Sequence, residues 1–346
     1  MAGYNFNLPS ITLLTVPQQS AVNQSGPIAL SGGPGTGKSV VSIYRHLSNL
    51  GKDHSSLLLT YTTTLAIYLK RCCSIGNPNV SECVRTSLKG KPKSNEFYDE
   101  IIVDEAQDLP IEYYYYIKNR ATSVSYGADD AQILYPEKSS SENDLYSIFS
   151  DSKKCLLDRN FRSTLSIMKL AKAVFQEAYI PQQTLNRLSG NIGELPVMLI
   201  SGGSKYDKEN IKQDNAILKI IESYNTDNVN IAILLPWKKQ VKDFYDRISK
   251  DITCSRYYQD EYVFPSGCED ISNVHITTFK SSKGLEFDTV IIPNFDKLLD
   301  VSSMPSHLHL DWKDYFVGVT RARSNLYVIC NNEIPHLDSL TEKEFL

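Results

Sequence analysis

The chain has 346 residues, 41% of them hydrophobic and 22% charged, with a formal net charge of −4. That length exceeds one ordinary domain and accommodates two cores of about 150 residues each, and the composition excludes disordered, collagen-like and coiled-coil classes. The acidic balance argues against a generally basic protein that coats nucleic acid, while leaving room for a local basic groove.

In chain order, Leu14–Val22 reads as a turn into a short helix with Pro17 in its first turn. An apolar run, Ile28-Ala29-Leu30, then meets Ser31-Gly32-Gly33-Pro34-Gly35-Thr36-Gly37-Lys38-Ser39, and a helix pattern begins at Val40. The spacing G-x-x-x-x-G-K-S between strand and helix predicts a phosphate-binding loop. Glycines let the backbone take positive φ and bring its N–H groups close to phosphate oxygens, which makes Gly33, Gly35, Thr36 and Gly37 candidate nucleotide contacts. Lys38 then reaches the β- and γ-phosphates, the Ser39 hydroxyl ligates Mg²⁺, and the helix N-terminus favours the anion.

Ser55–Thr60 reads as a buried strand followed by a helix through Leu69, whereas 74–97, with Gly76, Pro78, Gly90 and Pro92, has loop chemistry and at most a short strand. Glu100–Glu105 is a strand ending in acids. At the carboxyl end of a parallel strand such acids face the ligand, so Asp104 is expected at Mg²⁺ and Glu105 at the attacking water. In the next helix Tyr113-Tyr114-Tyr115-Tyr116 cannot all face one way, and two are expected inward. A strand at Thr122–Tyr126 leads to the polar cluster Gly127–Tyr135, and the Ser/Lys/Glu-rich stretch 136–152 reads as the way out of the first domain. This places the domains at 1–152 and 153–346.

The second half is expected to open with Cys155-Leu156-Leu157 and a helix over Leu165–Ala178, followed by an irregular stretch from Pro181 to Pro196. Strands are expected at Val197–Ile200, Asn230–Leu235, Val274–Thr278, Thr289–Pro293 and Asn325–Cys330, with helices near 208–224, 238–250 and 312–319. Alternation of strand and helix in both halves predicts an α/β fold of two doubly wound parallel sheets. Seven cysteines without a regular framework fit a reducing compartment, and no Cys/His spacing suggests zinc; His307 and His309 lack a second ligand pair. No apolar run approaches the roughly 20 residues that span a bilayer, so a cytoplasmic protein without a membrane partner is expected.

The order of these clusters resembles the UvrD/Rep-type superfamily 1 helicases over nearly the whole chain. The resemblance implies two RecA-like domains with the ATP site in the cleft between them, ATP and Mg²⁺ as cofactors, and single-stranded DNA as partner, with RNA left open. Gln18 in L-x-x-x-Q-x-x-A-V resembles the adenine-reading glutamine, and Asp104-Glu105-Ala106-Gln107-Asp108 the D-E-x-Q-D acids. Gln132 resembles the glutamine coupling the γ-phosphate to DNA. Asn160-Phe161-Arg162-Ser163 resembles N-Y-R-S, implying adenine stacking by Phe161 and a γ-phosphate contact by Arg162. Thr278–Glu286 is similar to T-x-H-x-x-K-G-L-E, implying nucleotide contact by Gly284 and Glu286 and strand contact by Thr278 and Lys280. Arg321 stands where the family has a second arginine finger. Tyr61 and Thr62, in Thr60–Ala66, resemble a segment lying under single-stranded DNA, and Tyr135 is a second candidate for base stacking.

Some positions depart from the family. Only about 35 residues separate the Tyr61 segment from Asp104, and about 110 separate Arg162 from Thr278, too few for the accessory domains of larger relatives. Val40 replaces an arginine, Ala128 a glycine and Lys280 a histidine. The leading expectation is a minimal ATP-dependent DNA translocase with 3′ to 5′ direction implied by resemblance. The alternative is an ATP-driven switch subunit controlling a protein partner such as a nuclease, with little unwinding of its own. A kinase or GTPase lacks support, because no guanine-reading N-K-x-D loop is present.

Overall fold

The computed structural model describes residues 3–52, 54–76, 78–202, 208–258, 261–263, 271–303 and 310–346. The chain forms two compact units: an N-terminal unit, Phe6–Phe161, and a C-terminal unit made of Arg162–Leu346 together with Met1–Asn5.

In the N-terminal unit, strands β1 (Ile28–Ser31), β2 (Ser56–Thr60), β3 (Val84–Thr86), β4 (Tyr98–Asp104), β5 (Ala121–Ala128) and β6 (Lys153–Leu156) form one sheet in the order β3-β2-β4-β5-β1-β6. Every neighbouring pair is parallel. Helices α1 (Val16–Val22), α2 (Lys38–Leu50), α3 (Thr63–Gly76), α4 (Ile111–Lys118) and α5 (Glu142–Ile148) connect them. All five residues of β2 are buried, as an apolar run must be when helices cover both faces of a parallel sheet. Leu57, Ile101, Val103, Val124 and Phe149 pack on one face with Tyr113 and Tyr114, while Tyr115 is exposed and Tyr116 half-buried. Leu14, Ala21, Ile28, Leu30 and Val41 form a second cluster under α1 and α2.

In the C-terminal unit, helices α6 (Leu165–Val174), α7 (Gln182–Arg187), α8 (Lys208–Tyr224), α9 (Lys238–Ile248) and α10 (Trp312–Val319) accompany a second sheet. Its strands are β7 (Val197–Ile200), β8 (Ile231–Leu235), β9 (Ser255–Tyr258), β10 (Glu261–Val263), β11 (Val274–Thr278), β12 (Phe287–Ile292), β13 (Ala322–Cys330) and β14 (Glu342–Phe345), in the order β10-β9-β11-β8-β12-β13-β7-β14. Seven strands are parallel, and β10 pairs antiparallel with β9 at the edge. Ile217, Ile221, Ile233, Val241, Phe244 and Ile276 fill the space between α8, α9 and the sheet.

The two parallel α/β sheets match the expected fold class. Details differ at the edges. Lys153–Leu156 was expected to lead into the second half, but as β6 it pairs with β1 in the first sheet, with Ile28 opposite Lys153 and Ser31 opposite Leu156. The division falls between Phe161 and Arg162, inside the N-F-R-S cluster, rather than at 152/153. Strands β9, β10 and β14 (Ser-Arg-Tyr-Tyr, Glu-Tyr-Val, Glu-Lys-Glu-Phe) hold no continuous apolar run, β10 and β14 being the edges of the sheet, and for that reason they carry little strand signal. The stretch expected to be irregular after Pro181 contains α7, whose N-cap is that proline.

Candidate active site

The glycine-rich loop joins β1 to α2, with Gly37 as N-cap in the left-handed region (φ 87°). Gly35 is also left-handed (φ 71°), and Gly32 has φ 150°, a conformation open almost only to glycine. A Cβ on Gly32 would lie 2.2 Å from the Leu157 carbonyl oxygen, whereas one on Gly33 would meet nothing within 4 Å. The loop closes on itself: Thr36 Oγ1 donates to Gly33 O at 2.9 Å, and Lys38 Nζ donates to Gly32 O at 2.5 Å and Gly33 O at 3.2 Å. Its outer side is held by the next two clusters in space. Asn160 Nδ2 donates to Pro34 O at 3.0 Å and Phe161 N to Gly35 O at 2.9 Å. Gln18 Nε2 donates to Thr36 O at 3.0 Å while its Oε1 accepts from the N-cap Thr15 N at 2.9 Å, so this glutamine braces the loop against α1. The Phe161 ring is 45% exposed, with the Arg159 guanidinium 4.9 Å from its centroid.

The acids at the end of β4 reach this loop past an intervening strand, since β5 lies between β4 and β1. The crossing occurs at Gly127 in β5, where a Cβ would already sit 3.6 Å from both Asp104 Oδ1 and Lys38 Cβ. Asp104 accepts from Ser42 Oγ at 3.4 Å and also bonds Ser39. Burial, and then the charge of Glu105, push its carboxyl well above the usual carboxylate range, opposed by Ser39 and Lys38. Its second oxygen, Oδ2, is buried and has no hydrogen-bond partner. A hydroxyl beside a buried carboxylate with an unused oxygen is a hard-oxygen donor set suited to Mg²⁺. Among the described residues no group of three or more His, Cys, Asp or Glu forms another such set, and His307 and His309 lie outside them.

Glu105 adopts φ 55°, ψ 47°, a left-handed conformation that costs a non-glycine residue about 1–3 kcal/mol. Its side chain is held: Gln107 Nε2 donates to Glu105 Oε2 at 2.7 Å, and Gln107 Oε1 accepts from Asp129 N at 3.2 Å. Asp129 in turn takes Gln132 Nε2 at 2.5 Å and lies 3.7 Å from Lys38 Nζ. Glu105, Gln107, Asp129, Gln132 and Lys38 therefore form one buried polar network. Gln107 and Asp129 were not singled out from sequence as site residues; their signal was proximity to acids at two strand ends, Asp104-Glu105 and Gly127–Gln132. Tyr61 and Tyr135, expected separately, meet edge to face with centroids 5.5 Å apart, and Thr62 Oγ1 accepts from Leu65 N at 3.2 Å at the start of α3.

In the C-terminal unit Glu286 is the meeting point. Arg162 Nε donates to Glu286 Oε2 at 3.1 Å, and Arg323 NH1 lies 3.5 Å from Glu286 Oε1. Gly284, two residues earlier, is left-handed (φ 81°). Arg321 is 1% exposed, with Nε on Val317 O at 3.0 Å and NH1 on Leu285 O at 3.3 Å. Thr278 Oγ1 caps the turn after β11 by accepting from Ser281 N at 3.1 Å. Lys280 Nζ lies 3.9 Å from Asp314 Oδ1 on α10, and burial pushes the Asp314 carboxyl up to about 7.

The fold defines an α/β protein of two units, each built on a largely parallel sheet. Residues 265–333 match the UvrD-like helicase C-terminal domain. Over 80 residues the chain is 34% identical to the RecBCD enzyme subunit RecB of Chlamydia pneumoniae, covering 23% of this chain and 7% of that protein. Over 249 residues it is 25% identical to the putative ATP-dependent DNA helicase R568 of Acanthamoeba polyphaga mimivirus, covering 66% of this chain and 34% of that protein. Among solved structures it is similar to the PRRSV helicase, with a TM-score of 0.46 and 16% identity over 94% of this chain and 56% of that one. The chain thus spans well under two thirds of these relatives' lengths. These likenesses are to UvrD-like helicases, over part of the chain in each case.

Proposed function

We propose that the chain is a nucleic-acid-stimulated ATPase of the UvrD class, moving on single-stranded DNA in the 3′ to 5′ sense implied by its resemblance. The observation that carries this reading is the buried network from Lys38 through Asp129 and Gln107 to Glu105, with Gln132 on the same aspartate. Phosphoryl transfer asks a protein for charge neutralisation and an oriented water more than for covalent help.

In that reaction the backbone N–H groups of Gly33–Gly37 and the N-terminus of α2 receive the phosphates, and Lys38 exchanges its loop carbonyls for the β- and γ-phosphate oxygens. Ser39 and Asp104 would hold Mg²⁺, which would supply charge neutralisation to the phosphates. Glu105, aimed by Gln107, orients the attacking water and takes its proton. Gln132 senses the γ-phosphate from the same aspartate that faces Lys38. Phe161 offers its exposed ring to the base, and Arg162 and Arg321 supply positive charge to the developing transition state. Tyr61 and Tyr135 form an aromatic platform for bases, with Thr62, Thr278 and Lys280 as strand contacts.

The test is the ATPase rate with and without single-stranded DNA. Stimulation at low salt that fades steeply as salt rises is expected, because phosphate contacts release counterions. A rate flat across DNA and RNA concentrations would refute the motor reading. A second reading, an ATP-driven switch that controls a partner, is favoured by one observation: the 80-residue likeness to RecB, a named subunit of a larger enzyme. It predicts a rate that responds to a protein partner rather than to a strand.

A further inference from the structure

The chain passes between its two units twice, at Asn5/Phe6 and at Phe161/Arg162. Both passages are fastened, on the C-terminal side, to the same residue. Immediately after the second passage, Arg162 binds the Glu286 carboxylate at 3.1 Å. Just before the first, the Tyr4 hydroxyl grips the Glu286 backbone from both sides, donating to its carbonyl oxygen at 2.5 Å and accepting from its N–H at 3.3 Å. Those residues are 282 positions apart in sequence.

The rest of the segment shows that Tyr4 is built into the unit. Its ring, 4% exposed, meets Phe287 edge to face at 5.7 Å. Its N–H donates to Ile271 O at 2.7 Å, Gly3 bridges Ser272, and Asn5 exchanges hydrogen bonds with Asn230 at 2.8 and 3.0 Å. Beyond the passage, the following residues are tied to the N-terminal unit: Tyr68 OH on α3 donates to Asn7 O at 3.3 Å and Tyr44 OH on α2 to Pro9 O at 2.6 Å. Residues 3–10 are thus a strap, tied to the C-terminal unit up to Asn5 and to the N-terminal unit from Phe6, whose ring meets Tyr68 at 6.0 Å.

We infer that Tyr4 is a positioning residue for Glu286, fastening it as the joint at which both passages of the chain are secured. The inference rests on the proposed nucleotide reaction for its consequence, since Glu286 is an expected nucleotide contact and its carboxylate holds Arg162. Fixing the Glu286 backbone fixes where that carboxylate stands, and so where Arg162 waits. A phenylalanine keeps the ring on Phe287 and removes the hydroxyl with its two hydrogen bonds to Glu286.

The experiment compares the full chain with Tyr4→Phe by two readouts. Without nucleotide, native-state hydrogen exchange should accelerate about three- to tenfold in the peptide spanning 284–288, the range expected from losing one to two ordinary hydrogen bonds, while peptides of β8 and β13 stay unchanged. With nucleotide, KM for ATP should rise by a similar factor with kcat within about twofold and the melting temperature within about 2 °C. Unchanged exchange at 284–288 overturns the inference, as does a lowered melting temperature with KM unaltered, which marks a role in packing alone. A wild type that binds no nucleotide, with exchange at 284–288 still accelerated in the variant, leaves Tyr4 as the anchor and refutes the proposed reaction instead.

Discussion

Gly32→Ala is the sharpest perturbation of the loop. Two costs combine at this position. At φ 150° an L side chain is confined to a region essentially reserved for glycine, a strain of about 1–3 kcal/mol. The added methyl would lie 2.2 Å from the Leu157 carbonyl oxygen, about 1 Å inside contact, so either the loop or the chain after β6 must move, at about 1–3 kcal/mol more. The expected loss, about 2–6 kcal/mol, is a large part of the 5–15 kcal/mol available to a domain. At about 2–4 °C per kcal/mol it lowers the melting transition of the N-terminal unit by roughly 10 °C. Gly33→Ala is the control, since its methyl enters open space. Scanning calorimetry of both variants, with equilibrium binding of a fluorescent ATP analogue, tests the argument. Nucleotide affinity should collapse in Gly32→Ala along with stability, whereas Gly33→Ala melts like the wild type. Equal melting of the two variants would refute the steric reasoning.

Two further outcomes are expected. Glu105→Gln keeps the shape of the side chain but removes the base, so kcat should fall about 10²-fold or more with ATP binding nearly intact, measured by single-turnover hydrolysis. His275 is buried, bonded through Nδ1 to Ser255 Oγ at 2.8 Å, and burial pushes its pKa down to about 3. The unfolded chain takes that proton near pH 6.5, so this contribution is complete above pH 6.5 and erodes as pH falls towards 3, the loss amounting to about 2 kcal/mol by pH 5.0. Asp314 works in the opposite sense: held protonated in the fold up to about 7, it favours the fold as pH drops. Comparing urea midpoints at pH 7.5 and 5.0 for the wild type and His275→Gln isolates the histidine, and identical pH slopes would show that it does not contribute.

The interior of both sheets was legible because burial on two faces leaves continuous apolar runs: Ile231–Leu235 and Leu57-Leu58-Leu59 lie in strands with every residue buried. The same rule says nothing about edges, which is why Cys155-Leu156-Leu157 was assigned to the other half although Lys153–Leu156 is an edge strand of the first sheet. Within the loop, sequence marked Gly33, Gly35 and Gly37 as contacts and passed over Gly32. Only coordinates distinguish Gly32, pressed against Leu157, from Gly33, beside empty space. The acids were visible as a strand ending in Asp104-Glu105, but the hub role of Asp129 depends on two strands coming side by side. Tyr4 was not legible at all, because nothing local relates it to Glu286.

At Gly127 an absent side chain joins two parts of the site. A strand normally screens its neighbours on either side from each other, yet here Asp104 and Lys38 face one another across β5. A methyl fits at ordinary contact distance, but a branched side chain would stand as a wall between the carboxylate and the start of α2. This position therefore acts as a window of fixed size, and its narrowness sets how much of the chemistry of one strand can be shared with another two places away.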